Sequence, residues 1–124
     1  MSDLPSPSKE LGQHFLTDEN IVRVIGRLAD VREGDVVLEI GPGQGVLTAY
    51  LAEHAGVVHA VELDHRLAPH LRDRFSGADN VRLHFRDALR LDPAELEPAP
   101  NKLVANLPYN VATPIVVESL ERLP

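Results

Sequence analysis

The sequence predicts an α/β fold, a parallel sheet with flanking helices. Three observations point there. Short β-branched runs alternate with stretches of helical period. The first run ends in a glycine-rich turn that opens a helix. The second ends in an acidic residue, Glu62, 21 positions after Gly41.

The elements follow in chain order. Residues 1–10, rich in Ser and Pro, read as a flexible arm. Thr17 or Asp18 caps a helix whose apolar positions are Ile21, Val24, Ile25 and Leu28. "REGD" is a turn, and "VVLEI" (36–40) is a strand running into "GPGQG" (41–45). "VLTAYLAEHA" is a helix facing inward through Leu47, Tyr50 and Leu51, ended by Gly56. A second cycle gives a strand over 57–63 and a helix over 64–75, with Leu67, Leu71 and Phe75 on one stripe. Pro69 falls near that helix's start, where a missing N–H costs least. "VRLHF" (81–85) alternates like a strand with one wetter face, and "DPAELEPAP" is a helical turn and a loop. "KLVAN" (102–106) is a fourth strand, and Thr113 and Pro114 start a helix in "PIVVESLERL". Crossovers make the four strands parallel, in spatial order 3-2-1-4.

Bulk composition excludes several classes. The chain has 124 residues, enough for one domain with a real core, and a net charge of -7. That acidic balance counts against a nucleic-acid binder unless basic surface lies elsewhere. Without cysteine there is no disulfide or thiolate chemistry. The six histidines show no ligand spacing, so no metal is expected. No apolar run approaches the ~20 residues that span a bilayer. The N-terminus is no secretion signal, so the reading is a soluble, cytoplasmic protein without a membrane partner.

The glycine turn carries the chemistry. A chain that leaves a strand and enters a helix within a few residues needs unusual φ values. A ligand against that backbone needs positions without Cβ, and the helix start offers unpaired N–H groups. Gly41, Gly43 and Gly45 exceed what a bare turn requires. No Gly-Lys-Ser/Thr follows, and Gly45 comes one position too early for a nicotinamide dinucleotide fingerprint. Glu62 suits ribose hydroxyls. Asp87, after the third strand, suits an exocyclic amine or a simple turn cap. Glu39 sits in a buried run, so it must be hydrogen-bonded. It holds the loop's amides or meets the ligand's amine, and a shaping role is favoured. A nucleoside cofactor without a pyrophosphate motif points to S-adenosylmethionine.

With "LGQHFL" (11–16), "VLEIGPGQGVLT" (37–48), "AVELD" (60–64), "RDAL" (86–89) and "NLPYN" (106–110) in order, the chain resembles the ribosomal RNA adenine dimethyltransferase family, its small-subunit branch most closely. The resemblance implies a Rossmann-like class I methyltransferase domain and N6-dimethylation of adjacent adenines in small-subunit ribosomal RNA. It implies cofactor contacts from Gln13, His14, Leu16, Gly41, Gly43, Gly45, Glu62, Leu63, Asp87, Ala88 and Asn106. It implies a catalytic loop of Asn106, Leu107, Pro108 and Tyr109. Large-subunit relatives usually show isoleucine where this chain has Leu107. A large-subunit enzyme and a non-catalytic assembly factor are the alternatives.

Asn106 and the Leu107 carbonyl would each accept a hydrogen from adenine N6 and turn its lone pair towards the methyl. Pro108 would fix that carbonyl, and Tyr109 would stack on the extruded base. Val111, Ala112 and Thr113 stand where the family often has isoleucine and serine, which should not alter the turn. The family's domain continues with more strands and a helical domain. Residues 11–124 therefore read as its N-terminal part, truncated after the fourth strand and expected to be inactive alone. The full-length protein is expected to be monomeric. Strand four is expected to have an open edge, through which the fragment would self-associate.

Overall fold

The computed structural model describes residues 19–106 and 115–120. Its elements are α1 (Glu19–Ala29), β1 (Val36–Ile40), α2 (Val46–His54), β2 (Val57–Glu62), α3 (Ala68–Arg74), β3 (Val81–Phe85), β4 (Lys102–Asn106) and β5 (Ile115–Ser119). One-turn 3₁₀ segments lie at His65–Leu67, Ala88–Arg90 and Pro93–Glu95. The sheet order is β3-β2-β1-β4-β5. The first four strands are parallel, with Val36 opposite Val57, Val37 opposite Lys102 and Val58 opposite Val81. The sequence order 3-2-1-4 is borne out.

The helices share one face of the sheet. Val22, Ile25 and Ala29 of α1 and Leu47, Leu51 and Ala55 of the α2 region bury against Val37, Val58 and Val104. Leu67, Leu71 and Phe75 extend that layer over Val81, Leu83 and Phe85. Each fully buried leucine contributes roughly 1.5–3 kcal/mol. The other face carries Leu38 and Val61, covered by Leu91 and Leu96 from the segment after β3.

The buried face of α1 corrects the sequence reading. Val24 and Leu28 are exposed, while Val22, Ile25 and Ala29 are buried. The side chain of Ile21 and the caps Thr17 and Asp18 lie outside the described residues. Gly26 explains the choice of face. The Tyr50 ring of α2 fills the space beside it, and a Cβ there would stand 1.9 Å from the ring. Small residues at 26 and 29 let the two helices approach, and the larger Leu28 turns outward.

The C-terminal segment is the second correction. Ile115–Ser119 is a strand, β5, antiparallel to β4 with Asn106 opposite Ile115 and Lys102 opposite Ser119. No helix forms there. "IVVES" is β-branched and suits a pleated surface. It also supplies N–H and C=O partners to the outer side of β4, which would otherwise stand unpaired. An antiparallel neighbour needs no crossover. The expected open edge of β4 is therefore occupied, and the argument for self-association through it falls. Thr113 and Pro114 lie outside the described residues, as does the arm at 1–10.

A polar knot ties the amino end of the sheet. Asn101 accepts from the Val36 amide at 2.8 Å and donates to Asp35 at 2.9 Å. Lys102 Nζ lies 2.8 Å from Asp35 Oδ2 and also donates to the Asp30 carbonyl. Burial pushes the Asp35 carboxyl up. Hydrogen bonds from Lys102, Asn101 and the Arg32 amide, with the charge of Lys102, outweigh this and bring it from 3.8 down to about 2. The folded value is depressed, so the stability is present above the unfolded value and is lost as pH falls through about 2. Asp35→Asn should lower the unfolding free energy at neutral pH by about 2 kcal/mol. It should also flatten the acid limb of a urea-unfolding profile taken between the two values. An unchanged limb would show that the knot is not a source of stability.

Candidate functional site

At the carboxyl end of β1 the chain turns through Gly41, Gly43 and Gly45, whose φ angles are 77°, 59° and 91°. All three lie in the left-handed region that side chains disfavour. Gly41 N–H donates to the Val61 carbonyl at 3.0 Å, and Gly45 N–H to the Pro42 carbonyl at 2.9 Å. A Cβ on Gly45 would lie 2.8 Å from the Phe75 ring. A Cβ on Gly43 would meet no described residue within 4 Å. Gly45 is thus the packed glycine, and Gly43 presents bare backbone that no described residue crowds.

Two outside anchors hold the turn. Glu62, 7% exposed at the end of β2, accepts from Gly43 N–H at 3.2 Å through Oε1. Its Oε2 accepts from Asp64 N–H at 2.8 Å. From α3, His70 Nε2 lies 3.0 Å from the Gln44 carbonyl and Arg74 donates to the same oxygen at 3.1 Å. A carbonyl only accepts, so Nε2 of His70 carries the hydrogen. Neither His70 nor Arg74 belongs to a sequence motif. Their spacing on one helix face was the available signal.

Glu39 lies beneath the turn and is 1% exposed. Thr48 donates to its Oε1 at 2.5 Å, and no described residue bonds its other oxygen. Burial raises the carboxyl to about 7; the Thr48 bond pulls against that rise and the Glu62 charge adds to it. The expected shaping role takes this form: Glu39 ties β1 to the first turn of α2.

The remaining positions divide. Asp87 follows β3 and caps the Ala88–Arg90 turn, its Oδ1 accepting from Leu89 N–H at 2.9 Å. Its other oxygen lies 3.9 Å from Arg90 Nε. The cap reading of Asp87 is therefore what the bonding shows. Leu63 and Leu89 follow β2 and β3 at the same sheet end and are 64% and 96% exposed. Ala88 packs on the core of the far face. Leu89, within "RDAL", carries no sequence signal of its own. Asn106 closes β4, which places its backbone at the carboxyl end beside Ile40; its side chain lies outside the described residues. Gln13, His14, Leu16, Leu107, Pro108 and Tyr109 also lie outside them.

On the far face, His59 Nε2 donates to the Pro98 carbonyl at 2.8 Å, and its Nδ1 therefore accepts from His84 Nε2 at 3.0 Å. Burial lowers both imidazoles, which favours the neutral form of buried His59 and half-buried His84. Among the described residues, no group of three or more acidic, histidine or cysteine side chains is placed to hold a metal ion. No helix among them is long and apolar enough to cross a membrane.

A glycine turn clamped to an acidic strand end, with two more strand ends beside it, is the arrangement found at the nucleoside-binding edge of doubly wound folds. Residues 6–124 match the family model described as ribosomal RNA adenine dimethylase. The chain belongs to that family. It is 56% identical over 120 residues to the "Ribosomal RNA small subunit methyltransferase A" of Rubrobacter xylanophilus, covering 97% of this chain and 45% of that protein. Among solved structures, the 23S rRNA methyltransferase ErmE is 31% identical, with a TM-score of 0.60 over 73% of this chain and 47% of that one. A dimethyladenosine transferase from Plasmodium falciparum, 22% identical, shares the fold with a TM-score of 0.59 over 71% of this chain and 41% of that one. The Rossmann-like class I methyltransferase fold is thereby shown. The chain spans less than half the length of these relatives.

The two family-loop glycines should respond differently to a methyl group. Gly45→Ala combines an unfavourable φ with a clash against Phe75 and should cost about 2–3 kcal/mol. Gly43→Ala carries the φ cost alone, about 1 kcal/mol. Thermal denaturation of both variants measures the difference. Equal losses would mean that Phe75 yields freely.

Proposed function

We propose that the protein to which this chain belongs transfers methyl groups from S-adenosylmethionine to N6 of adjacent adenines in small-subunit ribosomal RNA during ribosome maturation. The observation that carries the reading is the union of family membership with a glycine turn held by Glu62. The alternative large-subunit target has support in the likeness to the 23S enzyme, but at 31% identity against 56% for the small-subunit relative.

The residues present fit the cofactor. No described residue crowds Gly43, and Glu62 closes β2 directly beside it. Each Glu62 oxygen bonds one backbone N–H and keeps a second lone pair, so ribose hydroxyls can be gripped without releasing the turn. Leu63 and Leu89 offer exposed apolar surface at the same sheet end, suited to the adenine ring. Gly41, Gly45, Asp87 and Ala88 complete this edge. Gln13, His14 and Leu16 are assigned by resemblance to the methionine side. When bound, S-adenosylmethionine supplies an electrophilic methyl on a sulfonium.

Acceptor chemistry falls to Asn106–Tyr109. Adenine N6 is a weak nucleophile because its lone pair is delocalised into the ring. The Asn106 side-chain oxygen and the Leu107 carbonyl each accept an N6 hydrogen and favour a pyramidal nitrogen. Pro108 restricts the backbone around that carbonyl. Tyr109 stacks on the base lifted from its RNA. Catalysis is then largely positioning. RNA docking draws on basic surface in the rest of the protein, and the full-length protein acts as a cytoplasmic monomer.

The test is methyl transfer by the full-length protein to purified small and large subunits, followed by nucleoside analysis. Dimethyladenosine should appear in small-subunit RNA only. Asn106→Ala should reduce single-turnover transfer ~100-fold with cofactor affinity unchanged. Glu62→Ala should weaken cofactor binding about 30-fold, the scale of lost charge-assisted bonds. Transfer to the large subunit alone would reverse the assignment of substrate. An Asn106→Ala variant that lost only cofactor affinity would move Asn106 out of the acceptor site.

A further inference from the structure

We propose that Glu39 is a carboxylic acid in the ligand-free site, that it releases its proton when S-adenosylmethionine binds, and that it keeps that proton when S-adenosylhomocysteine binds. The proposal rests on the reading of this edge as the cofactor site and adds to it a proton that distinguishes substrate from product.

The geometry is a pair of carboxylates with one answer to their charge. Glu39 and Glu62 lie on the same face of adjacent strands, Glu39 opposite Ala60 and Glu62 two residues further along. They are 1% and 7% exposed. Glu62 receives two backbone N–H groups. Glu39 receives one hydroxyl, from Thr48, and its second oxygen has no hydrogen-bond partner among the described residues. An ionised carboxylate so buried needs more donors or a cation.

Among the described residues, no cation around it is free to serve. From β4, Val104 stands opposite Glu39, and Lys102 is at the strand's other end on Asp35 and the Asp30 carbonyl. From α2, Thr48 is the facing group, while Glu53 and His54 lie in the last turn, His54 bonded to the Tyr50 carbonyl. From α3, His70 and Arg74 are held on the Gln44 carbonyl, outside the turn. Arg23 and Arg27 of α1 are exposed. From β2, the facing charge is Glu62, of the same sign. The carboxyl value of about 7 agrees with this arrangement.

The ligand brings the missing charge. S-adenosylmethionine and S-adenosylhomocysteine share the adenosine, the ammonium and the carboxylate. They differ by one methyl group and by the positive charge on sulfur. A sulfonium entering beside two buried carboxylates favours the ionised form of the nearer acid. The balance is simple: the acid form of Glu39 and the cation give a carboxylate beside a cation, and one proton passes to the solvent. Methyl transfer removes the sulfur charge, so Glu39 takes a proton back before product leaves. The site then holds the spent cofactor without a favourable charge pair, which assists exchange.

Proton linkage gives the measurement. With a free-site value of about 7, the preference for S-adenosylmethionine over S-adenosylhomocysteine should rise about tenfold between pH 6 and pH 8. Calorimetry of the full-length protein at pH 7, in two buffers of different ionisation enthalpy, should show release of about half a proton with S-adenosylmethionine and none with S-adenosylhomocysteine. Glu39→Gln keeps the shape and should abolish both the release and the pH-dependent rise in preference. Thr48→Val removes the bond that favours ionisation, so the rise should move to higher pH. Equal proton release with the two ligands, or release that persists in Glu39→Gln, overturns the proposal while leaving the cofactor reading intact. Failure of either ligand to bind overturns the cofactor reading and the proposal with it.

Discussion

The hydrogen bond from Gly43 N–H to Glu62 is the constraint on which the carboxyl edge depends. It joins two crossover units at the point where β1 and β2 end side by side. Gly43 has no side chain to hold its place, and its left-handed φ is one that an unrestrained chain would leave readily. The carboxylate fixes it from one side, while His70 and Arg74 fix the next carbonyl from the other. A flexible sequence is thereby held in one conformation, with the order supplied by neighbours. The same carboxylate keeps lone pairs for a ligand. Shaping the turn therefore leaves Glu62 able to take the binding role proposed for it.

The frame of that edge was legible because each of its signals is local. Alternation of β-branched runs with helical stretches gave the four parallel strands and their order. Three glycines between a strand and a helix marked the turn, and Glu62 followed from its place at the next strand's end. The failures concern choices made by distant residues. On α1, the stripes Ile21–Val24–Ile25–Leu28 and Val22–Ile25–Ala29 both fit a helical period. Tyr50, from another helix, selects the second by seating on Gly26. In "IVVES" the β-branched residues tolerate either structure. The vacant side of β4 decides for a strand, a fact of the sheet that is not visible within those five residues.

Site residues divide along the same line. Glycine positions and the strand-end acids carry their role in backbone position, which the pattern of elements specifies. His70 and Arg74 serve the turn from α3, 26 and 30 residues away. Nothing next to them in sequence announces it. Asp87 shows the opposite case: its cap on Leu89 is local and common, and a sequence alone does not separate it from a ligand contact. Leu89 was hidden because an exposed leucine is ordinary until the strand ends beside it are known.

Donor counting explains why two acids at opposite ends of β1, Asp35 half-buried and Glu39 buried, behave in opposite ways. Asp35, at the amino end, meets Lys102, Asn101 and the Arg32 amide, and they hold it ionised. Glu39, at the carboxyl end of the adjoining strand, meets one hydroxyl and a second carboxylate, and burial keeps its proton in place. The linkage signs follow. The contribution of Asp35 is lost as pH falls from 3.8 through about 2, whereas that of neutral Glu39 is complete below 4.5 and is lost as pH rises through about 7. The fold is thus satisfied at one end of the sheet and left one positive charge short at the other. A protein selected for stability alone would place a hydrophobic residue at position 39, since a well-packed apolar group in such a position is commonly neutral or stabilising. On the proposal that Glu39 answers the charge of the cofactor, the cost of keeping an acid there is accounted for by a cation that arrives from outside the chain, at the end of the sheet where the glycine turn lies.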